Sequence, residues 1–309
     1  MILVLINPRA RFAKTRGAAA LHSQIERILG STGVVYQTAS LAELEKALKR
    51  TSPANTQCVV ALGGDGTLST VLSCAVKVWG NDNLPPFFPV FAGTMNEIAG
   101  DVHTRPMKPL AAIEKLVDLA RSDQLIRTQR YPLVINGQRY GFAFGFGASS
   151  RFLEAYNRAG GGVWQAVKQV GYYVASAIVG GATARKLFEG VKGRLVQDGH
   201  TRALNWSMCL ILTVRKLPLR VQLSTSGGEQ TKPDMCVVGG LARLFWLAVC
   251  LPLIWMGRLP KRTGITRSNA KAIDFEFEQP QAWHLDGDLH DASSRLEIRI
   301  GPAVRFIRF

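Results

Sequence analysis

Apolar and polar positions follow two different rhythms along this chain. In the first 130 residues short unbroken apolar runs recur at 2–6, 34–36, 58–62 and 89–92. Runs of that length bounded by Gly, Pro or Asn read as buried strands. Between them lie stretches with apolar residues three and four apart. Ala20, Leu21, Ile25 and Ile28 mark a helix over 17–29, and 41–48 marks another. A further helix is expected over 67–78, directly behind the 58–62 strand. Strands alternating with helices predict a parallel sheet covered on both faces. Ligands on such sheets bind beyond the carboxyl ends of the strands.

From about residue 130 the texture becomes β-rich. The run Tyr131, Leu133, Val134, Ile135 meets Asn136-Gly137 and then 138–140, a hairpin signal. Further strands are expected at 190–197, 207–214, 221–224, 272–278 and 296–300, with helical material near 163–178 and 241–256. The pattern predicts an α/β nucleotide-binding domain over 1–130, a mostly antiparallel β-sandwich domain over 131–295, and a closing segment 296–309. Gly160-Gly161-Gly162 reads as a connection. The apolar stretch 241–256 contains Arg243 and Pro252, and its sixteen residues fall short of the ~20 that cross a bilayer. It reads as a helix packed on the β domain or lying at an interface. Phe245, Trp246 and Trp255, followed by Arg258, Lys261, Arg262 and Arg267, suit contact at headgroup level.

Charge narrows the choice of partner. Lys and Arg number 38 against 22 acidic residues, a net +16, and 139–220 holds twelve basic side chains against three acidic ones. A polyanion is the natural counterpart, either nucleic acid or an anionic membrane leaflet. The six Trp and six Tyr form no stacking platform and no helix-turn-helix pattern is present, so nucleic acid is not the expected partner. Cys58, Cys74, Cys209, Cys236 and Cys250 show no CxxC pair and no histidines at zinc spacing. They read as reduced, mostly buried thiols of a cytoplasmic protein. The run 2–6 reads as a first strand rather than a signal peptide.

The densest candidate chemistry is Leu62-Gly63-Gly64-Asp65-Gly66-Thr67, immediately after an expected strand. Its glycines permit positive φ and let backbone N–H groups approach a phosphate. Asp65 offers oxygen to Mg²⁺, and the following helix adds the partial positive charge of its N-terminus. Asn7 and Thr94, behind the 2–6 and 89–92 strands, are expected at the same sheet edge. Trp283-His284-Leu285-Asp286-Gly287-Asp288 is a second acidic motif, which by itself reads more often as a solvated hairpin than as a site. There is no GxxxxGK[ST] and no HRD-type loop, so neither a P-loop enzyme nor a protein kinase is indicated.

In combination and order, Asn7-Pro8, Gly63-Gly64-Asp65-Gly66-Thr67, Gly93-Thr94-Met95-Asn96-Glu97, Gly145-Phe146-Gly147-Ala148 and Leu285-Asp286-Gly287-Asp288 resemble the diacylglycerol kinase catalytic-domain family of lipid kinases. Bacterial diacylglycerol kinases, sphingosine kinases and ceramide kinases belong to that family. The resemblance implies an α/β domain of the NAD kinase and diacylglycerol kinase type followed by a β-sandwich, with 296–309 returning to the first domain. It implies ATP and Mg²⁺ as cofactors. Gly63, Gly64, Asp65, Gly66 and Thr67 would cradle phosphates, with Asn7, Thr38, Thr94, Asn96 and Glu97 completing the nucleotide site. Metal would be held through Asp65 and Glu97, with Asp234 and Asp286 as further acidic positions. Asp288, where the family has Glu, would be the base, and Asp65 would act with it.

Three departures shift these expectations. The Asn-Pro-x-Ser-Gly of the family becomes Asn7-Pro8-Arg9-Ala10-Arg11, moving phosphate contact toward Arg9, Arg11, Lys14 or Arg16. Lys232-Pro233-Asp234-Met235-Cys236 lacks the family's Asp-Gly-Leu, which weakens a structural metal there. Asp288 is one methylene shorter than Glu. The implied partner is a lipid at an anionic inner membrane surface, bound peripherally, and a homodimer is compatible with the chain. Competing readings are an NAD kinase-like enzyme with a soluble acceptor, a basic nucleic-acid-binding protein, and an inactive lipid sensor.

Overall fold

The computed structural model describes residues 1–160, 163–214, 216–217, 221–222 and 234–309. Gly161-Gly162 of the expected connection, the end of the expected 221–224 strand and Lys232-Pro233 lie outside the described residues. The chain divides into two compact units. The first is Met1–Pro132 with Gln138–Gly141 and Pro302–Phe309, and the second is Leu133–Gly137 with Phe142–Gly301.

The first unit alternates as its pattern requires. β1 (Ile2–Ile6) leads through α1 (Arg11–Arg16) and α2 (Ala18–Leu29) to β2 (Gly33–Gln37), then α3 (Leu41–Lys49), β3 (Cys58–Leu62) and α4 (Asp65–Trp79). β4 (Phe87–Pro89), α5 (Glu97–Val102), α6 (Pro109–Arg121) and β5 (Ile126–Arg130) follow. β1 pairs in parallel with β2 and β3, with Ile6 opposite both Gln37 and Leu62. Three strands therefore end in line, and the residues that follow them share one edge. All ten side chains of β1 and β3 are buried, as continuous apolar runs in a doubly covered sheet should be. Leu21, Ile25 and Leu29 of α2 and Ile113, Leu116 and Val117 of α6 close over one face. α3 begins with a capping box: Ser40 Oγ accepts from Glu43 N–H, and Glu43 accepts from Ala39 N–H.

Two expectations are corrected. The fourth strand is Phe87–Pro89 rather than 89–92, because pairing with β3 runs only from Val59–Phe87 to Ala61–Pro89. The helix after the glycine loop begins at Asp65, so Asp65, Gly66 and Thr67 form its first turn rather than a loop.

In the second unit, β6 (Leu133–Ile135) ends at Asn136-Gly137, both with positive φ (49° and 69°), the backbone a two-residue hairpin turn demands. β7 (Arg139–Gly141) counts with the first unit, where Tyr140 N–H donates to Ser73 Oγ of α4. There follow β8 (Ala143–Gly147), α7 (Ala148–Arg158), α8 (Val163–Ile178), α9 (Ala182–Leu187), β9 (Val191–Gln197), β10 (His200–Trp206) and β11 (Met208–Leu212). β12 (Lys216–Leu217) and β13 (Val221–Gln222) form a small antiparallel pair. β14 (Met235–Gly240), α10 (Leu244–Val249), α11 (Leu251–Trp255), β15 (Ile265–Ala270), β16 (Ala272–Leu285) and β17 (Asp288–Ile300) complete the unit.

The main sheet is antiparallel, running β15-β14-β11-β8-β16-β17-β6, with β9 and β10 joined through β16. Its strands obey the period of two. Phe144 and Phe146 of β8, Cys209 and Ile211 of β11 and Met235 and Val237 of β14 enter one core with Phe275, Leu296 and Ile298. Ala143, Leu212, Cys236 and Val238 face the other way, under Leu247, Ile254 and Leu259 from the α10–α11 region. The 241–256 stretch thus covers a sheet face as two short helices. The closing segment begins at Pro302, not 296, because 296–300 is the end of β17. β18 (Val304–Arg308) lies between β4 and β5, giving the first sheet the order β2-β1-β3-β4-β18-β5.

Candidate active site

The edge beyond β1, β2 and β3 collects Asn7, Thr38 and Gly63, one residue past each strand. Asn7 N–H and Thr38 N–H extend the ladder to Leu62 O and Ile6 O. The Asn7 amide is fixed at both ends: Nδ2 donates to Thr67 Oγ1 at 2.9 Å, and Oδ1 accepts from Arg9 N–H at 2.9 Å. Thr38 Oγ1 donates to Ile6 O at 3.3 Å. Pro8 and Ala10 lead into α1, which carries exposed Arg11, Lys14 and Arg16 from this edge.

The glycines serve close approach, not positive φ. None of Gly63, Gly64, Gly66 and Gly93 has a positive φ. A Cβ on Gly63 would sit 2.2 Å from Thr67 Oγ1, and one on Gly93 would sit 2.4 Å from the Gly64 Cα. The two glycine loops pack backbone to backbone. α4 starts there, and its first intrahelical bond runs from Leu68 N–H to Gly64 O. The amides of Gly66 and Thr67 precede that bond, donors of the helix's first turn that suit a phosphate.

Asp65 has an architectural task that spacing alone did not reveal. Its carboxylate accepts from Glu97 N–H at 3.0 Å and Ile98 N–H at 3.1 Å, capping α5. Desolvation pushes its carboxyl above the ordinary range, opposed by those amide bonds. Asn96 holds the second loop shut: its Oδ1 accepts from Gly93 N–H at 2.7 Å and its Nδ2 donates to Gly93 O at 3.0 Å, with Asn96 at φ 55°. Thr94 and Met95 stand exposed at the loop tip. The structure therefore brings together Asn7, Thr38, Gly63, Gly64, Asp65, Gly66, Thr67, Thr94, Asn96 and Glu97, all within the first unit.

A brace behind this site escaped the sequence reading. Arg130 of β5 donates from Nε to Asp101 Oδ2 at 2.6 Å and from Nη2 to Asp101 O at 2.8 Å. Both side chains are about 95% buried. Asp101 sits on α5, so β5 pins the helix whose first turn Asp65 caps. Residues 29 apart in the chain leave no local signal of such a pair.

In the second unit the Asp286-Gly287 turn joins β16 to β17, with φ 48° and 85°. The Asp286 carboxylate is a latch, taking Phe142 N–H at 2.9 Å and Ala143 N–H at 2.7 Å. Asp288 pairs in register with Leu285, is exposed, and makes no hydrogen bond or ion pair among the described residues. The protein around it still desolvates its carboxyl enough to push it upward. His284 is not a solvated loop residue: burial and the nearby His290 pull its imidazole down to about 4, so it is neutral at pH 7. Asp234 is half-buried at the start of β14.

Among the described residues no three His, Cys, Asp or Glu side chains converge on a metal-sized site. Mg²⁺ commonly uses only one or two carboxylates plus phosphate and water. Asp65 and Glu97, at the start of neighbouring helices, fit that sparser donor set. An open depression of about 580 Å³ lies at the opposite end of the first unit's sheet, around Gln57, Pro86, Arg127 and Arg305. It contains none of the loop residues above.

Residues 1–125 match the diacylglycerol kinase catalytic domain. In fold, the chain is similar to a diacylglycerol kinase from Bacillus anthracis strain Sterne, with a TM-score of 0.65 at 13% identity over 99% of this chain and 96% of that one. It is also similar to a candidate diacylglycerol kinase from the same organism, with a TM-score of 0.68 at 15% identity over 99% and 94%. No curated protein matches the chain. At such identities the likeness is one of fold: an α/β first unit of the diacylglycerol kinase type and a mostly antiparallel second unit.

Proposed function

We propose that this protein is a lipid kinase that transfers the γ-phosphoryl group of ATP, with Mg²⁺, to a hydroxyl of a membrane lipid, diacylglycerol before other lipid alcohols. The observation that carries this reading is the edge where Gly64 packs backbone to backbone on Gly93, beside the open first turn of α4. It lies within the stretch that matches the diacylglycerol kinase catalytic domain.

Phosphoryl transfer asks mainly for positioning and charge neutralisation. The Gly66 and Thr67 amides would hold phosphate oxygens, and the Asn7–Thr67 bond keeps the turn in place. Basic side chains of α1 would add positive charge where the family's serine is missing. Asp65 and Glu97 would hold Mg²⁺ through water, and the ion when bound neutralises charge on the β and γ oxygens. Asp288, with no hydrogen-bond or ion-pair partner among the described residues, would accept the acceptor's hydroxyl proton, a contribution of typically ~10²–10⁴-fold. The protein would work peripherally on an anionic inner leaflet. No helix among the described residues is long and apolar enough to cross a membrane. The test is incubation with γ-labelled ATP and diacylglycerol in mixed micelles, beside soluble acceptors. Label entering the lipid fraction supports the reading, and label entering only a soluble acceptor overturns it.

A further inference from the structure

α8 faces solvent with its apolar side. Trp164, Val167, Lys168, Gly171, Tyr172, Ala175 and Ile178, spaced three and four apart, are all exposed. Trp164 is 79% exposed and Tyr172 60%. The opposite side of the helix is satisfied: Val174 and Ala177 pack with Ala184, Leu244 and Ala248. That packing sets α8 beside α10, whose own outer residues Phe245 and Val249 are exposed, followed by Leu253, Trp255 and Met256. An ordinary surface helix shows the reverse pattern, with charge outward. Contiguous exposed apolar surface of this kind marks an interaction site.

The charge around this face selects its occupant. Residues 163–187 and 241–267 together hold eight Lys and Arg and no Asp or Glu. Lys168, Arg243, Arg258, Lys261 and Arg262 are exposed along it. Exposed Trp, Tyr and Phe on segments that carry basic and no acidic side chains match the layer between headgroups and acyl chains of an anionic bilayer. No helix among the described residues is long and apolar enough to cross a membrane. We propose that the outer face of α8, α10 and α11 is the surface by which this protein docks on anionic membranes. The proposal deepens the lipid-kinase reading and rests on it for its purpose, while the binding is measured without ATP or acceptor lipid.

The experiment is flotation of the full chain with vesicles of phosphatidylcholine and phosphatidylglycerol, and with phosphatidylcholine alone. Binding to the anionic vesicles, weakening as salt rises, is expected. Trp164→Ala and Trp255→Ala should each weaken it roughly tenfold, the scale of losing part of an aromatic burial. Lys168→Glu with Lys261→Glu should weaken it most at low salt. Circular dichroism and Tm should be unchanged, since these side chains are exposed. Wild-type protein that ignores anionic vesicles, or aromatic variants that bind as wild type, overturns the proposal. So does a dimer in solution that the Trp variants split, because the occupant is then a second copy. Failure of lipid phosphorylation in micelles with vesicle binding intact overturns the kinase reading alone.

Discussion

The acidic residues beside glycines in the two units look alike on paper and behave differently in the fold. In the first unit Asp65 spends both oxygens on backbone amides of Glu97 and Ile98, and Asp101 is locked to Arg130. In the second unit Asp286 holds the amides of Phe142 and Ala143, while Asp288, two residues on, has no hydrogen-bond or ion-pair partner among the described residues. A carboxylate at a glycine turn is thus first a device for satisfying backbone donors that a tight turn strands. The one left over is the better candidate for chemistry, because its lone pairs are available. The contrast separates Asp286 from Asp288 more sharply than the motif they share.

The largest effect should fall on the free member. Asp288→Asn is expected to lower kcat by ~10²–10⁴-fold with no loss of Tm, measured by steady-state kinetics beside thermal unfolding. A matching loss of Tm would erase the distinction between the two aspartates. Next comes the brace: Arg130→Met leaves the buried Asp101 uncompensated and should cost about 3–5 kcal/mol of stability in denaturant titration. A change near zero would mean that α5 does not depend on it. Asp286→Ala should destabilise by about 1.5–3 kcal/mol, the worth of hydrogen bonds to a charged group, and native-state hydrogen exchange should quicken at Phe142 and Ala143. Gly93→Ala forces the two glycine loops apart, since its Cβ meets the Gly64 backbone at 2.4 Å. The expected readout is weakened ATP binding by calorimetry with a smaller loss of stability.

The smallest effect is in pH. A base must be deprotonated, so kcat should rise with pH to a plateau. The Asp288 carboxyl is pushed above its ordinary 3.8, and the inflection should move up with it. Its contribution to stability has the opposite sense: present below the unfolded value and lost as pH rises through the folded one. Asp288→Asn should remove both trends. An acid limb that persists in this variant assigns the inflection to another group.

Much of the first unit was legible because continuous apolar runs and 3.6-residue spacing are local signals. The glycine loop announced its edge for the same reason, although its glycines turned out to serve packing rather than unusual φ. The limits of β4 were not legible: residues 85–92 form one apolar run, and only pairing with β3 decides where the strand stops. Helices α1 and α5 are six residues each, too short for periodicity to show. The Asp65 cap, the Asp286 latch and the Arg130–Asp101 pair join residues from 29 to 144 apart, and only the fold brings them together. The outward apolar stripe of α8 was visible as a helix but not as a surface, since spacing does not say which side faces water.

The most direct test of the account is phosphoryl transfer by wild type, Asp65→Asn and Asp288→Asn proteins from γ-labelled ATP to diacylglycerol in mixed micelles with Mg²⁺. The account predicts labelled lipid from the wild type and little or none from either variant, with both variants folded. Folded wild-type protein that labels no lipid would contradict it.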